Sequence, residues 1–262
     1  MTDYAPELAA AREFALAGGK VALGHYRTQL SSKRKADGTW VTEADWAVEA
    51  QIRLRIARAF PDHNVLGEEE GLTAAGGGPS RAGAPTWVVD PIDGTNNYMA
   101  GIPIWATLVA LRVDGRSVAG VVHAPALGEM YDAAVGAGAR CNDATIRVDT
   151  RADLATATLV FASAQGWRET ERAAGFDELV RRAWRSRGFG DFWGHMLVAR
   201  GAAHVMVEPD LSVWDVAALQ PIVAEAGGRI TDLDGNEWTD RGGCVTSNGA
   251  LHDEVLRLLQ PA

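Results

Sequence analysis

Apolar residues near the start of the chain recur at helical spacing and predict two helices. The first spans residues 6–28 and contains a Gly-Gly pair that weakens it. A polar stretch with an Asp-Gly pair, residues 33–39, predicts a turn. The sequence Thr-Glu-Ala-Asp then opens a second helix over residues 45–60, which Pro61 ends.

The middle of the chain changes from helical spacing to short apolar runs separated by turns. A strand is predicted at residues 65–66, and the Gly-, Ala- and Pro-rich residues 73–86 predict a surface loop. Four strands follow in the segments TWVVD, WATLVALRV, SVAGVVHAP and EMYDAAV. The Asp-Gly pair between the second and the third is typical of an antiparallel hairpin. This region therefore predicts a sheet with antiparallel pairs.

The second half of the chain alternates between strand and helix patterns. Strands are predicted in LVFAS, AHVMVE and RITDL, and helices over residues 169–184, 191–201 and 213–228 and from Ala250. Pro221 is expected to kink the third of these helices or to shift its start, and a Gly-Gly pair ends it. Consecutive strands followed by alternation predict a layered α/β protein with mixed sheets.

The composition disfavours several classes of partner but says little about the fold. The 262 residues are 47% hydrophobic and 23% charged, as in ordinary globular proteins, and allow one large domain or two packed lobes. The net charge of −9 disfavours nucleic acid and anionic membranes as partners. Cys141 and Cys244 form no disulfide framework, the first residues do not resemble a signal peptide, and no apolar run is long enough to cross a membrane. We therefore expect a cytoplasmic protein.

Two carboxylates stand at the end of the apolar run in WVVDPIDGT. The run stops at Asp90, Asp93 follows three residues later, and Gly94 and Thr95 begin a predicted helix. Free amides at a helix start attract phosphate, but two bare carboxylates repel it. Mg²⁺ ions between them resolve the conflict, because Mg²⁺ binds a few carboxylates together with phosphate oxygens. The motif therefore predicts a metal-dependent phosphate site.

Two further acids belong with this motif. Glu68 follows the short predicted strand, and Asp215 begins the helix with the internal proline. Together with Asp90 and Asp93 they give four carboxylates at the ends of predicted strands and helices. Four carboxylates can bind two or three divalent cations, which activate water for phosphoryl transfer. Each has a simpler alternative: a helix cap for Asp215, a solvated Glu-Glu-Glu run for Glu68, and a turn for Asp-Pro-Ile-Asp-Gly. Their joint occurrence at the ends of apolar segments favours the metal site.

These segments resemble the inositol monophosphatase family of Mg²⁺-dependent phosphomonoesterases, from about Thr42 to the C-terminus. The motifs that carry the resemblance are G-E-E at 67–69, D-P-I-D-G-T at 90–95, W-D-x-A-A at 214–218, E-A-G-G at 225–228 and S-N-G at 247–249. The resemblance implies an αβαβα sandwich and a homodimer. It also implies a single phosphatase domain over residues 1–262, with lobes at about 1–150 and 151–262.

The resemblance assigns a role to each acid. The implied ligands of two or three Mg²⁺ ions, for which Mn²⁺ is a possible substitute, are Glu68, Asp90, the carbonyl of Ile92, Asp93 and Asp215. The implied catalytic residues are Thr95, Asp45 and Glu68. Thr95, backed by Asp45, would orient and deprotonate the attacking water. The implied partner is a small-molecule phosphate monoester.

Within the family, the chain is most similar to histidinol-phosphate phosphatases of the actinobacterial type. The similarity lies in IPIWAT at 102–107, HAPA at 123–126, SAQGW at 163–167, residues 184–199 and Glu208-Pro209. It implies L-histidinol phosphate as the substrate, whose ammonium and imidazole groups need acceptors such as carboxylates. The implied substrate-binding residues are Asp93, Gly94, Thr95, Arg187, Asp191, His195, Glu208 and Asp215.

Alternatives stay open at this point. Asp191 is equally consistent with a helix N-cap, and His195, where the branch has an aromatic hydroxyl, is more typical of a structural residue. Inositol monophosphatase is the nearest alternative activity, whereas bisphosphate substrates need extra basic residues, for which Arg185 and Arg187 are the candidates. A catalytically silent regulatory member would have lost an acid or Thr95, and every expected position is filled.

Overall fold

The structure, a computed structural model, describes residues 3–35 and 38–261. Its helices are α1 (Ala5–His25), α2 (Glu43–Ala59), α3 (Thr95–Met99), α4 (Ala164–Arg168), α5 (Ala173–Arg182), α6 (Asp191–Ala199), α7 (Val213–Val216), α8 (Leu219–Glu225) and α9 (His252–Leu258). Its strands are β1 (Ser32–Arg34), β2 (Trp40–Thr42), β3 (Asn64–Gly67), β4 (Gly71–Ala74), β5 (Thr86–Asp93), β6 (Ala106–Val113), β7 (Arg116–Ala124), β8 (Glu129–Ala134), β9 (Gly138–Cys141), β10 (Ala144–Thr145), β11 (Thr158–Phe161), β12 (Arg185–Arg187), β13 (Val205–Ser212), β14 (Arg229–Asp232) and β15 (Arg241–Ser247). Within these residues no helix is long and apolar enough to cross a membrane.

Most strands belong to two mixed sheets. The larger has eight strands in the order β10-β9-β8-β7-β6-β5-β3-β4, all antiparallel except the β3–β5 pair. The smaller has five strands in the order β12-β11-β13-β15-β14, with β11 parallel to both of its neighbours. β1 and β2 form a separate antiparallel pair. The predicted mixed sheets are therefore confirmed.

Helices and sheets stack in five layers, because successive residues of a strand point to opposite faces. Trp87 and Val89 of β5 pack with α1 and α2, whereas Val88 packs with α6, α7 and α8 on the other face. In the smaller sheet, Val160 packs with α6, and Leu159 packs with α5 and α9. The αβαβα sandwich is confirmed, with α6, α7 and α8 as its central layer.

The Gly-Gly pair of α1 is a site of close packing, and the helix runs through it without interruption to His25. A Cβ atom on Gly19 would lie 2.3 Å from Nδ1 of His123 in β7. The same ring nitrogen forms a hydrogen bond with the Ala15 carbonyl oxygen at 3.0 Å. The helix is continuous at the predicted weak point, and the missing side chains let α1 approach the sheet.

The predicted helix over residues 213–228 is divided into α7 and α8. Pro221 has no N–H to donate to the carbonyl of Ala217, so the hydrogen-bond ladder is interrupted there. Gly227 follows α8 with φ +89°, a conformation that favours glycine and ends the helix. The expected effect of the proline is confirmed.

Several short elements were not predicted, because their residues are polar, small or glycine and show no clear periodicity. β1 and β2 flank the predicted turn at 33–39, whose residues 36–37 lie outside the described residues. β4 includes the first two residues of the predicted loop 73–86. The predicted helix 169–184 is shorter, since α5 covers Ala173–Arg182. α4, β9, β10, β12 and β15 were not predicted at all.

Candidate active site

The first acids lie where β3 and β5 end. Because these two strands are parallel, their carboxyl ends are side by side. Glu68 directly follows β3, and its N–H donates to the carbonyl oxygen of Val89 at 3.2 Å. Asp90 is the next residue of β5 and is only 1% exposed. Between Asp90 and Asp93 the pairing of β5 with β6 shifts, and such a bulge re-aims the side chains at the strand end.

Helix α7 brings a third acid to this strand end. Carboxylate oxygens of Asp90, Asp93 and Asp215 lie within 4.8 Å of one another. Asp215 also accepts a hydrogen bond from the N–H of Ser212 at 2.7 Å, so it caps α7 and joins the cluster at the same time. Oδ1 of Asp90 is buried and has no hydrogen-bond partner among the described residues. An unpartnered oxygen beside two other carboxylates fits a divalent cation with oxygen ligands.

The chain turns from β5 into α3 at Gly94. Gly94 has φ +82°, and a Cβ atom there would lie 3.0 Å from the carbonyl oxygen of Ile104, so the position requires glycine. Thr95 is the first residue of α3, and its hydroxyl donates to the carbonyl oxygen of Ile92 at 3.0 Å. The backbone amides of Gly94 and Thr95 thus directly follow the acids of β5.

Asp45 is held in the first turn of α2. Its Oδ2 accepts hydrogen bonds from the N–H and the hydroxyl of Thr42, at 2.8 and 2.6 Å, in a capping box. Burial raises the pKa of Asp45 to about 6 in spite of these two bonds. Its Oδ1 is buried without a partner among the described residues. The Thr95 hydroxyl donates to the carbonyl oxygen of Ile92, and the described residues show no hydrogen bond between Thr95 and Asp45.

Two adjoining cavities meet at these residues. The larger, of about 490 Å³, is lined by the acids at the ends of β3 and β5 and by the start of α3. The smaller, of about 220 Å³, lies between α6 and β13 and is lined by Asp191, His195 and Glu208. Asp93, Asp191 and Asp215 line both. A molecule in the larger cavity therefore has a second, acidic compartment within reach.

Asp191 and Glu208 reach the smaller cavity from α6 and β13. The N-cap of α6 is Gly190. The carboxylate of Asp191 instead accepts a hydrogen bond from Nδ2 of Asn97 at 3.0 Å, so the helix-cap alternative is wrong. Oε1 of Glu208 is buried without a hydrogen-bond partner in the described part of the chain. Both acids are therefore available as acceptors for a donor-rich ligand.

The two basic residues of the expected site differ in position. His195 is buried, with Nδ1 at 2.8 Å from the Thr246 hydroxyl and Nε2 at 3.7 Å from Oε1 of Glu208. Burial lowers the pKa of His195 to about 3, so its imidazole is neutral. Arg187 is exposed on β12 and donates to the carbonyl of Ser186, and it is not among the described residues that line either cavity. The structure brings His195 to the site and leaves Arg187 apart from it.

The order of these motifs along the chain is that of a known family. The sequence model of the inositol monophosphatase family matches residues 3–262. The chain belongs to the inositol monophosphatase family.

Individual members of the family show how far the similarity extends. A histidinol-phosphatase of Streptomyces coelicolor is 42% identical over 99% of this chain and 98% of its own length. A histidinol-phosphatase of Mycobacterium tuberculosis is 45% identical over 86% of each chain. The solved structure of an inositol monophosphatase from Anabaena has a TM-score of 0.83 at 30% identity and covers 99% of this chain and 98% of its own.

In this member of the inositol monophosphatase family the acids oppose one another's ionisation. Burial raises the pKa of Asp90 well above its ordinary value, and the charge of Glu68 raises it further. Burial raises the pKa of Asp93 in the same way, with Asp191 as the largest charge acting on it. Burial also raises the pKa of Glu208, to about 8. Without cations the site therefore retains protons at neutral pH.

We expect the metal-free protein to lose stability as the pH rises from about 4.5 to about 8. Below the ordinary pKa of 4.5, Glu208 is protonated both folded and unfolded; above it, the unfolded chain releases a proton that the folded protein keeps until about pH 8. The folded state then binds more protons, so the free energy of unfolding falls as the pH rises. Asp90 and Asp93 act in the same direction. Buried His195 acts in the opposite direction below its ordinary pKa of 6.5, so the loss of stability should be steepest between about pH 6.5 and 8.

A divalent cation should reverse this loss. At about 100 times its dissociation constant, Mg²⁺ should stabilise the folded protein by about 2.7 kcal/mol. Thermal unfolding in EDTA and in Mg²⁺, at pH 5 and pH 8 and matched ionic strength, measures the effect. The Mg²⁺-dependent rise in Tm should be larger at pH 8, and an equal rise at both pH values would contradict the acidic cation site.

Sequence reasoning missed two residues that hold Glu68 in place. Nζ of Lys35 donates to Glu68 at 2.8 Å and to Glu69 at 2.6 Å. The buried carboxylate of Glu49 accepts from the backbone N–H groups of Glu69 and Glu70, at 2.8 and 3.0 Å. The sequence shows Glu49 only as a charge on a helix. A tight turn after β3 that needs its amides satisfied becomes visible only in three dimensions.

Proposed function

We propose that this protein is a divalent-cation-dependent phosphomonoesterase that hydrolyses L-histidinol phosphate to L-histidinol and phosphate. The observation that carries the proposal is the pair of acids, Asp191 and Glu208, in a compartment that adjoins the cluster of Asp90, Asp93 and Asp215. The cluster suits a cation-bound phosphate, and the pair suits a cationic alcohol. Family membership and the two histidinol-phosphatases at 42 and 45% identity support it.

We assign the metal site to the acids at the strand ends. Glu68, Asp90 and the carbonyl of Ile92 would hold one cation, and Asp90, Asp93 and Asp215 the second. Mg²⁺ is the proposed ion, with two or three per site and Mn²⁺ as a substitute, because the donors are oxygens only. When bound, such cations lower the pKa of water and stabilise the charge that develops on phosphate.

The residues after β5 are proposed to hold the phosphate and the attacking water. The amides of Gly94 and Thr95 bind phosphate oxygens, whose charge their N–H dipoles favour. Because the Thr95 hydroxyl donates its hydrogen to Ile92, its oxygen is free to accept a hydrogen bond from water and to orient it. Asp45 is the proposed acid partner of Thr95: when the Thr95 hydroxyl turns away from Ile92, the unpartnered Oδ1 of Asp45 would accept its hydrogen, and the hydroxyl oxygen would still accept from water.

The shape and charge of the two cavities favour a cationic alcohol over the alternatives. Histidinol phosphate brings an ammonium and an imidazole to Asp191 and Glu208, whereas inositol phosphate brings only hydroxyl groups. His195 would add a neutral imidazole and Arg187 a contact from outside the cavities. A bisphosphate needs basic residues, and among the described lining residues of the two cavities there is no Lys or Arg.

Phosphate release in Mg²⁺ from L-histidinol phosphate, myo-inositol 1-phosphate and fructose 1,6-bisphosphate tests the substrate directly. We expect a strong preference for histidinol phosphate. Asp191→Asn should lower its kcat/KM by about 10- to 100-fold, the equivalent of one charge-assisted hydrogen bond of about 1.5–3 kcal/mol. The control is Asp234→Asn, which removes an exposed acid paired with Arg172. An equal loss on inositol phosphate, or a wild-type preference for it, would contradict the assignment.

We also propose one phosphatase domain over residues 1–262, with lobes at about 1–150 and 151–262. Its support is the shared core: Leu108 of the larger sheet, Ile222 of α8 and Cys244 of the smaller sheet belong to one buried cluster. A homodimer is proposed on family grounds. A silent regulatory role has less support, because Thr95 and the acids are all present at the site.

A further inference from the structure

Two hydrogen bonds join the chain after β5 to the first turn of α6. Oδ2 of Asp93 accepts from the N–H of Phe192 at 2.7 Å. Nδ2 of Asn97, in α3, donates to Oδ2 of Asp191 at 3.0 Å. The first bond fixes the backbone of α6 against the cation cluster. The second acts on a side chain, and it connects the helix that starts at the phosphate site with the acid of the second compartment.

The backbone conformation at Asp191 makes the orientation of its side chain depend on the hydrogen bond from Asn97. Asp191 has φ +55°, a left-handed conformation that side chains adopt only with support from their surroundings. The preceding Gly190 lies so close to Ala162, the residue after β11, that a Cβ atom on Gly190 would come within 2.6 Å of the Cα and Cβ atoms of Ala162. The main chain has therefore little room to adjust. The direction of the carboxylate is left to its hydrogen bonds.

Asn97 occupies only one oxygen of this carboxylate. Oδ2 takes the hydrogen bond, and Oδ1 has no hydrogen-bond partner among the described residues. An amide is a neutral donor, so it orients the carboxylate and leaves its negative charge in place. A lysine at the same position would neutralise that charge. The charge of Asp191 thus remains available to a cation in the smaller cavity.

We propose that Asn97 is a positioning residue for substrate specificity. Asn97 holds the carboxylate of Asp191 at a set distance from the phosphate-binding amides of Gly94 and Thr95, because Gly94, Thr95 and Asn97 lie in the same turn of the chain. The span between phosphate and ammonium in the substrate is thereby selected. This inference rests on the proposed function, since it needs an ester whose alcohol part is cationic.

The test compares Asn97→Leu, which keeps the side-chain size but removes the donor, with Asn97→Asp, which places a second negative charge against Asp191. Asn97→Leu should raise KM for L-histidinol phosphate about tenfold, the scale of a lost orienting contact, and Asn97→Asp should raise it further. The change in kcat should stay below about twofold, and p-nitrophenyl phosphate, which has no ammonium, should be unaffected. Asn236→Leu, at an exposed asparagine that is not among the lining residues of either cavity, is the matched control for the ratio of the two substrates.

A double-mutant cycle with Asp191→Asn decides whether Asn97 acts through Asp191. In the Asp191→Asn background, Asn97→Leu should change KM by less than about twofold. Additive effects, or a loss of kcat on both substrates together with a lower Tm, would overturn the inference by showing a merely structural role. If the wild type prefers another ester, the proposed function fails, and the same cycle on that ester or on L-histidinol binding by calorimetry still measures the coupling. Absence of coupling there would overturn the inference separately.

Discussion

Asp90→Asn should abolish phosphate release, with kcat lower by a factor on the order of 10³, the loss expected when several kcal/mol of charge stabilisation by cations disappear. Asp90 lies at the centre of the proposed metal site, where it would bridge both cations. Its Oδ1 is buried and makes no hydrogen bond within the described residues, so no packing or hydrogen bond of the fold depends on that oxygen. The amide fills the same space without the charge.

The Asp90→Asn variant should remain folded, so a loss of turnover can be distinguished from unfolding. Burial and the neighbouring Glu68 disfavour the charged form of Asp90, so the metal-free variant should unfold at the same temperature as the wild type or higher. Steady-state kinetics with saturating Mg²⁺ and thermal unfolding in EDTA measure the two effects. Asp143→Asn, at an exposed acid paired with Arg12, is the control. Retained turnover in Asp90→Asn would contradict the two-cation assignment, as would retained turnover in Asp93→Asn.

Thr95→Ala should lower kcat by about 10²- to 10⁴-fold, the usual contribution of a group that acts on a proton in the transition state. KM should change little, because Gly94 and the acids still hold the phosphate. Among the described residues the hydroxyl makes one hydrogen bond, to the carbonyl of Ile92, so its removal should cost little stability. The two effects distinguish a residue that acts on water from one that binds substrate.

Thr95→Ser is the matched variant, since it keeps the hydroxyl and removes only a methyl group. It should retain most of the wild-type kcat. Measured under saturating Mg²⁺ and substrate, an alanine variant with unchanged kcat would remove Thr95 from the chemistry. A serine variant as slow as alanine would show that the methyl group, and therefore packing, is what matters.

The carboxylates at the strand ends were predictable because their signal is local. An apolar run that stops at an acid, as at Asp90, identifies a strand end and the residue beyond it within a few positions. The capping sequence at Thr42 and the break at Pro221 are equally local, and both were confirmed. Candidate site residues at such strand and helix ends can be predicted without knowing the order of the strands in the sheet.

Contacts between distant parts of the chain were not predictable in this way. Lys35 reaches Glu68 from the β1–β2 segment, which has too few apolar residues to reveal itself as strands. Asn97 and Asp191 are separated by 94 positions in the sequence, and nothing in either segment points to the other. Arg187 was predicted to bind substrate, yet it is exposed on β12 and is not among the described residues that line the two cavities. Such outcomes depend on strand order and on the packing of α6.

By itself the sequence determined the fold class and the family, and it predicted the residues of the proposed site, because short-range periodicity and motifs record them. The tertiary structure alone decided which of these residues share one space. The parallel pairing of β3 and β5 brings Glu68 to the strand end that carries Asp90. The short helix α7, separated from α8 ahead of Pro221, brings Asp215 to Asp90 and Asp93. These distances are set by the packing of whole layers, a property of the folded chain that no local pattern contains.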